Sequence, residues 1–184
     1  MKKILLILFS VLLFSTSCTK KKPVISDINI EEVTKVDKAQ MPDSCIWYET
    51  LIIMDDYLDQ NAEKPVEVVN IFQAMVDEDP MVYKFQHFRN GTTVKDSIRS
   101  FWIEDYPIKD DSLITFNKAF ELIKEVNLPK PHSRHVCLRN PMGPLDTNPQ
   151  WVFGNIESQL WVNTKTGEIK TSNPAFPEDF EFKY

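Results

Sequence analysis

Glycine is scarce, with four in 184 residues. No glycine-rich loop is available to cradle a phosphate, which argues against nucleotide chemistry of the kind that packs backbone N–H groups around an anion. Neither a Gly-x-Ser-x-Gly elbow nor a metalloprotease helix with two His around a Glu is present. The acidic clusters Asp55-Asp56, Asp77-Glu78-Asp79 and Asp110-Asp111 lack the central Gly and closing Glu of a calcium loop. Histidine is limited to three residues and cysteine to three. Basic residues are outnumbered 21 to 27, for a net charge of −6. That argues against a nucleic-acid partner, because affinity there rests on neutralising phosphates. The one long apolar run, from Ile4 to Phe14, falls short of the roughly 20 residues a spanning helix needs.

What is present starts at the N-terminus. Lys2 and Lys3, the apolar run, and Ser15-Thr16-Ser17 before Cys18 follow the three-part plan of a secretory signal peptide. Small residues directly before a cysteine resemble the lipobox of bacterial lipoproteins, with Ser15 where the strict pattern prefers Leu. The resemblance implies diacylglycerol on the Cys18 thiol, removal of residues 1–17 and a further acyl chain on the new N-terminus. Two or more chains anchor stably in a bilayer, whereas one is marginal. Thr19 rather than Asp follows the cysteine. Under the sorting rule of enteric bacteria this implies the outer membrane, facing the periplasm. The alternative is an ordinary signal peptide cut near Ser17 and a soluble periplasmic protein.

Loss of Lys2 and Lys3 leaves 19 basic against 27 acidic residues, a net of −8. Residues 18–40 are rich in Lys, Asp and Glu and poor in aromatics, which predicts a lipidated cysteine followed by a flexible tether. Residues 41–184 suffice for a single domain with a real core. With Cys18 acylated, Cys45 and Cys137 remain as an even pair in an oxidising compartment. A bridge would close a loop worth roughly 4 kcal/mol on the chain-entropy account; two separate buried thiols are the other reading.

Apolar spacing predicts helices over about 43–60, 65–76 and 112–127, the last with Leu113, Phe116, Phe120, Ile123 and Val126 on one face. Strands are expected over 82–88, 92–105, 133–139, 151–153, 159–163 and 168–170, with a hairpin turn at Asn90-Gly91. The tail 173–184 reads as an irregular strap. A weak echo, helix then antiparallel strands, relates 43–106 to 112–171. The predicted class is α+β, with helices packed on one face of an antiparallel sheet. Within it, Gln150-Trp151-Val152-Phe153 precedes Trp161-Val162-Asn163-Thr164-Lys165-Thr166-Gly167-Glu168-Ile169. A strand followed by this Asn-to-Gly-Glu turn resembles a PepSY-like unit, and similar endings occur in cystatin-like folds. The resemblance covers about 112–170. It implies a secreted or membrane-linked binding or inhibitory module with no shared catalytic residues.

The sharpest local chemistry is His132-x-x-His135-x-Cys137. The residue types suit zinc, but on a strand 135 and 137 share a face that 132 does not. No metal site and no cofactor is therefore expected. A hydrolase drawing on His132, His135 and Cys137 would need His87 to converge on His135. Trp102 or Trp151, with Arg134 and Arg139 nearby, would form a surface able to grip a peptide or a sugar ring. The sequence thus predicts a non-enzymatic, envelope-anchored module that binds a protein or peptide through its sheet face or edge. A hydrolase-type enzyme is one alternative. An accessory subunit of an envelope complex, recognisable by an exposed apolar patch, is the other.

Overall fold

The computed structural model describes residues 27–109, 113–142 and 148–172. Cys18, the start of the tether and the C-terminal strap lie outside the described residues. The elements run α1 (Ile30–Ala39), β1 (Ile46–Met54), β2 (Pro65–Val76), β3 (Asp79–Phe88), β4 (Thr93–Arg99), α2 (Phe116–Glu125), β5 (His135–Arg139), β6 (Gln150–Asn155), β7 (Ser158–Asn163) and β8 (Ile169–Thr171). All eight strands form one antiparallel sheet in the order β4-β3-β2-β1-β5-β6-β7-β8. Two four-stranded meanders are therefore joined at their first strands, β1 and β5, and each is preceded by a helix.

This corrects the predicted class. The architecture is one wide antiparallel sheet carrying two ten-residue helices, not helices layered over a smaller sheet. The predicted helices at 43–60 and 65–76 are the central strands β1 and β2. Both carry apolar residues on the two faces of the sheet. In a short run such a pattern also satisfies three- and four-residue spacing, and the Val, Ile, Trp, Tyr and Phe content decides for strand. Conversely, residues 30–39, assigned to the tether, form α1. Asn29 caps it by accepting from Glu32 N (3.1 Å), and Glu31 and Glu32 fill its first turn.

Side chains alternate between the faces of the sheet. The helix-covered face carries the main core: Ile52, Val68, Phe72, Phe85, Val136, Leu138, Trp151, Phe153, Leu160 and Val162, with Ile30 from α1 and Phe116, Ala119, Phe120 and Ile123 from α2. On the other face Val69, Ile71 and Val82 are buried beneath Trp102. That ring arrives on the segment 100–108, which crosses this face as a strap. Trp102 N donates to Gln73 Oε1 (2.6 Å), Tyr106 N to Asn140 O (2.7 Å) and Ile108 N to Trp47 O (2.8 Å).

The turns explain the registers. Val76 pairs with Asp79, leaving Asp77 and Glu78 as a two-residue hairpin with φ of 50° and 71°, the conformation that Asn-Gly usually supplies. The predicted Asn90-Gly91 turn is a three-residue loop in which Gly91 (φ 83°) takes the left-handed position. Gly167 (φ 74°) closes β7–β8 as expected, with Asn163 Oδ1 accepting from the amides of Lys165 and Thr166.

Candidate functional site

The two edges of the sheet differ. β8 has three residues, whereas β4 has seven, runs without a register break and is exposed along its whole length. Phe88 N donates to Thr92 O (2.9 Å) and Ser100 N to Pro80 O (3.0 Å). These bonds set the phase of the ladder: alternate residues from Thr92 to Ser100 face β3, so the N–H and C=O groups of Thr93, Lys95, Ser97 and Arg99 point away from the sheet. One of these amides, Ser97 N, is held by the neighbouring Asp96 carboxylate (2.8 Å).

Side chains along the edge divide by face. Lys95 lies on the helix-covered side, over the rings of Tyr83 (5.4 Å) and Phe85 (4.7 Å). Val94, Asp96 and Ile98 lie on the other side, opposite Gln86, Lys84 and Val82. Val94 is 46 % and Ile98 64 % exposed, and the strap adds Phe101 (62 %) and Ile103 (74 %). Exposed large apolar groups also occur elsewhere, Ile156 at 95 % and Met142 at 53 % among them, but these four lie on one edge strand and the segment that follows it. At the centre of the patch is a carboxylate.

Beneath the strap, at the β1–β5 seam, lies a buried ionic cluster. Arg139 donates through Nε and a terminal nitrogen to Asp105 Oδ1, both at 2.8 Å. Glu49, directly across the seam from Arg139, is also buried. Burial first and the Asp105 carboxylate second push the Glu49 carboxyl up to about 7, against the pull of Arg139. Burial likewise raises Asp105, opposed by its bond to Arg139. Cys137 shares this face, and burial, reinforced by Glu49, pushes its thiol up to about 12. Such a thiol stays protonated at neutral pH and is a poor nucleophile.

The residues nominated from the sequence disperse. Trp102 and Arg139 both belong to the strap side, one as the packing ring and the other as the strap's ion-pair anchor. Trp151 is buried on the opposite, helix-covered face, its indole N–H donating to Ile114 O (2.8 Å). Arg134 sits at the end of β1, its Nε donating to Met54 O (2.7 Å). The four do not form one surface. His132 pairs with the Asp59 carboxylate (3.0 Å) and stacks on Tyr57, while Ser133 Oγ lies 3.4 Å from His135 Nδ1. His87 belongs to the helix-covered face, bonded to Asp37 (2.8 Å), and does not meet His135 on the other side. Cys45 and Cys137 are free thiols. Cys137 pairs with Leu51, six residues along β1 from Cys45, a separation of roughly 20 Å by strand rise, far beyond disulfide reach. Among the described residues no group of three His, Cys, Asp or Glu is placed to hold a metal ion.

The sequence reads 92–105 as a returning strand bent or bulged midway and does not mark the edge; the strand ends at Arg99, where the strap begins. The signal that would have found it is Val-x-Asp-x-Ile at 94–98, an alternation beside a charged neighbour on a strand flanked by a hairpin turn.

No family model and no curated protein matches the chain, and the PepSY-like unit is not confirmed. Among solved structures, a proposed lipoprotein from Clostridium difficile 630 is similar over 82% of this chain and 99% of its own, at 13% identity and a TM-score of 0.48. A likeness that distant bears on neither site nor mechanism.

Proposed function

We propose that the chain is a lipid-anchored, non-catalytic binding protein of the cell envelope, facing the periplasm, whose β4 edge takes an extended strand of a protein partner. The observation that carries this reading is the solvent-exposed seven-residue edge with Val94 and Ile98 exposed beside it. An added strand gains main-chain hydrogen bonds from the outward groups of Thr93, Lys95, Ser97 and Arg99, and its alternate side chains confer specificity. The row Val94-Asp96-Ile98 fits a partner strand that reads apolar, basic, apolar. A basic residue opposite Asp96 draws the carboxylate from Ser97 N, freeing that amide for the incoming strand. Phe101 and Ile103 extend the apolar contact beyond the strand. The Cys18 lipobox supplies the anchor.

The test uses a peptide probe, Thr-Val-Thr-Lys-Thr-Val-Thr, capped at both ends, and a control with Glu in place of Lys. Amide exchange is followed residue by residue. The Lys peptide is expected to slow exchange at the outward amides of β4, and the Glu peptide to leave them unchanged. Unchanged exchange with both peptides, or equal slowing with both, overturns the reading. For the anchor, intact-mass analysis of membrane-extracted protein is expected to show a chain beginning at Cys18 with two or three acyl groups. An unacylated product overturns that part alone.

A further inference from the structure

The two carboxylates of the buried ionic cluster stand on elements of very different rigidity. Asp105 belongs to the strap, which is neither helix nor strand. The strap's main-chain ties are Ser100 N to Pro80 O (3.0 Å), Tyr106 N to Asn140 O (2.7 Å) and Ile108 N to Trp47 O (2.8 Å). Its ionic root is the pair Asp105–Arg139. Glu49 belongs to β1, which is paired on both flanks, Glu49 itself with Ile71 of β2 and with Arg139 of β5. Two buried carboxylates, one on the strap and one on the central strand, thus face a single guanidinium. With both ionised, the cluster holds more negative than positive charge out of water, where repulsion is little screened.

Of the two, the carboxylate on the strap is the one that can move away, because moving Glu49 breaks ladder bonds on both sides of β1. We infer that the strap is a pH-operated cover, seated over Val69, Ile71 and Val82 while Glu49 holds its proton and released as Glu49 ionises. Release uncovers an apolar floor that continues through the pair Val82–Ile98 to the exposed side of β4. The inference does not depend on what that edge binds. The groups facing Glu49 are Asp105 and Glu104 from the strap and Arg139 and Cys137 from β5; Ile71 and Gln73, beside it on β2, carry no charge. Burial keeps the Cys137 thiol protonated, and also the phenol of Tyr48, whose ring meets that of Trp102.

Amide exchange of the full chain, corrected for the intrinsic effect of pH on exchange, reads the release. The amides of Tyr106 and Ile108 are expected to exchange faster than those of Ile52 and Leu138 in the central strands. Unlike those, they are expected to be insensitive to low concentrations of urea, the mark of a local opening. From about pH 6 to about pH 8 their protection is expected to fall about tenfold. That is the factor for a carboxyl that keeps its proton up to about 7 when covered and to its ordinary 4.5 when free. Glu49→Gln is expected to abolish the fall. Strap amides that exchange only together with the central strands overturn the proposal. So does protection that is constant with pH in the parent, or a fall that survives in the Gln variant. Should that variant not fold, the carbon shift of the Glu49 carboxyl in the parent decides. Its titration midpoint is expected to coincide with that of the strap amides, and a separation of about a pH unit or more overturns the proposal.

Discussion

Along the row of side chains that crosses the helix-covered face, β2 contributes Asn70 and β1 Thr50, while β5 contributes Leu138 and β6 Trp151. The two halves share a plan of one helix and a four-stranded meander, yet the surfaces on which their helices sit are chemically opposite. Under α1, Asp37 Oδ2 accepts from Asn70 Nδ2 (2.7 Å) and bonds His87 Nε2 (2.8 Å). Asn70 Oδ1 accepts from Thr34 (3.1 Å) and Thr50 (2.6 Å), and His87 Nδ1 meets Thr93 Oγ1 (3.0 Å). Under α2, Phe116 stacks on Phe120 (5.5 Å) and Phe153 (6.3 Å) and meets Trp151 edge-on (5.6 Å). A helix can thus be docked on the same sheet by directed bonds among polar groups, most of them buried, or by close packing of rings. The first fixes orientation at the risk of unsatisfied partners; the second contributes more per residue and tolerates small shifts.

Truncation separates the two modes. The largest loss is expected for Phe153→Ala in the aromatic half, about 3–5 kcal/mol by denaturant unfolding, because a wholly buried ring leaves a cavity. Asp37→Ala in the polar half is expected to cost about 2–4 kcal/mol, since it removes the partner of Asn70 Nδ2 and of His87 Nε2. A double-mutant cycle of Asp37 with Asn70 should show strong coupling, and additivity there would mean that the polar network does not act as a unit.

The seam between the halves gives a smaller effect that depends on pH. Glu49 has a folded pKa near 7 against its ordinary 4.5, so between those values the native state holds a proton that the unfolded chain releases. Stability from this group is highest below pH 4.5 and falls as pH rises through 7. Glu49→Gln is expected to raise stability at pH 8 by roughly 1–3 kcal/mol relative to the parent and to change little at pH 4. A gain of equal size at both pH values would remove the ionic explanation, in which Asp105, Glu104 and Arg139 are the charges facing Glu49. Smallest are the caps, which do not distinguish the halves. Asn29→Ala and Thr115→Ala each remove a side-chain acceptor at a helix start and are expected to cost about 1 kcal/mol apiece.

The same contrast explains what the sequence reveals. α2 is legible because its inner face is apolar at helical spacing, and β3 and β5–β8 fall close to the strands read from alternation. α1 is hidden because the stripe it buries is Ile30, Thr34 and Asp37, which carries no apolar period. Only the Asn29 cap and the acidic first turn mark it. β1 and β2 mislead for the converse reason, being apolar on both faces at the centre of the sheet. The site was less legible than the fold. Trp102, Arg134, Arg139 and Trp151 are near in sequence to the strap or the seam, but which face each belongs to depends on registers that only pairing across the sheet defines.

The joining of the meanders at β1 and β5 also orders the assembly of the chain. β2 follows β1 closely and can zip onto it, β3 onto β2 and β4 onto β3, as the polypeptide emerges. The other flank of β1 stays bare until β5 emerges, after the strap, the whole of α2 and the loops around it. Over that interval the strand richest in branched and aromatic residues presents an open ladder, and any other extended segment is a competitor for it. The finished sheet keeps its most adhesive strand at the centre and its more polar strand, β4, at the rim. While the chain emerges this arrangement is temporarily reversed.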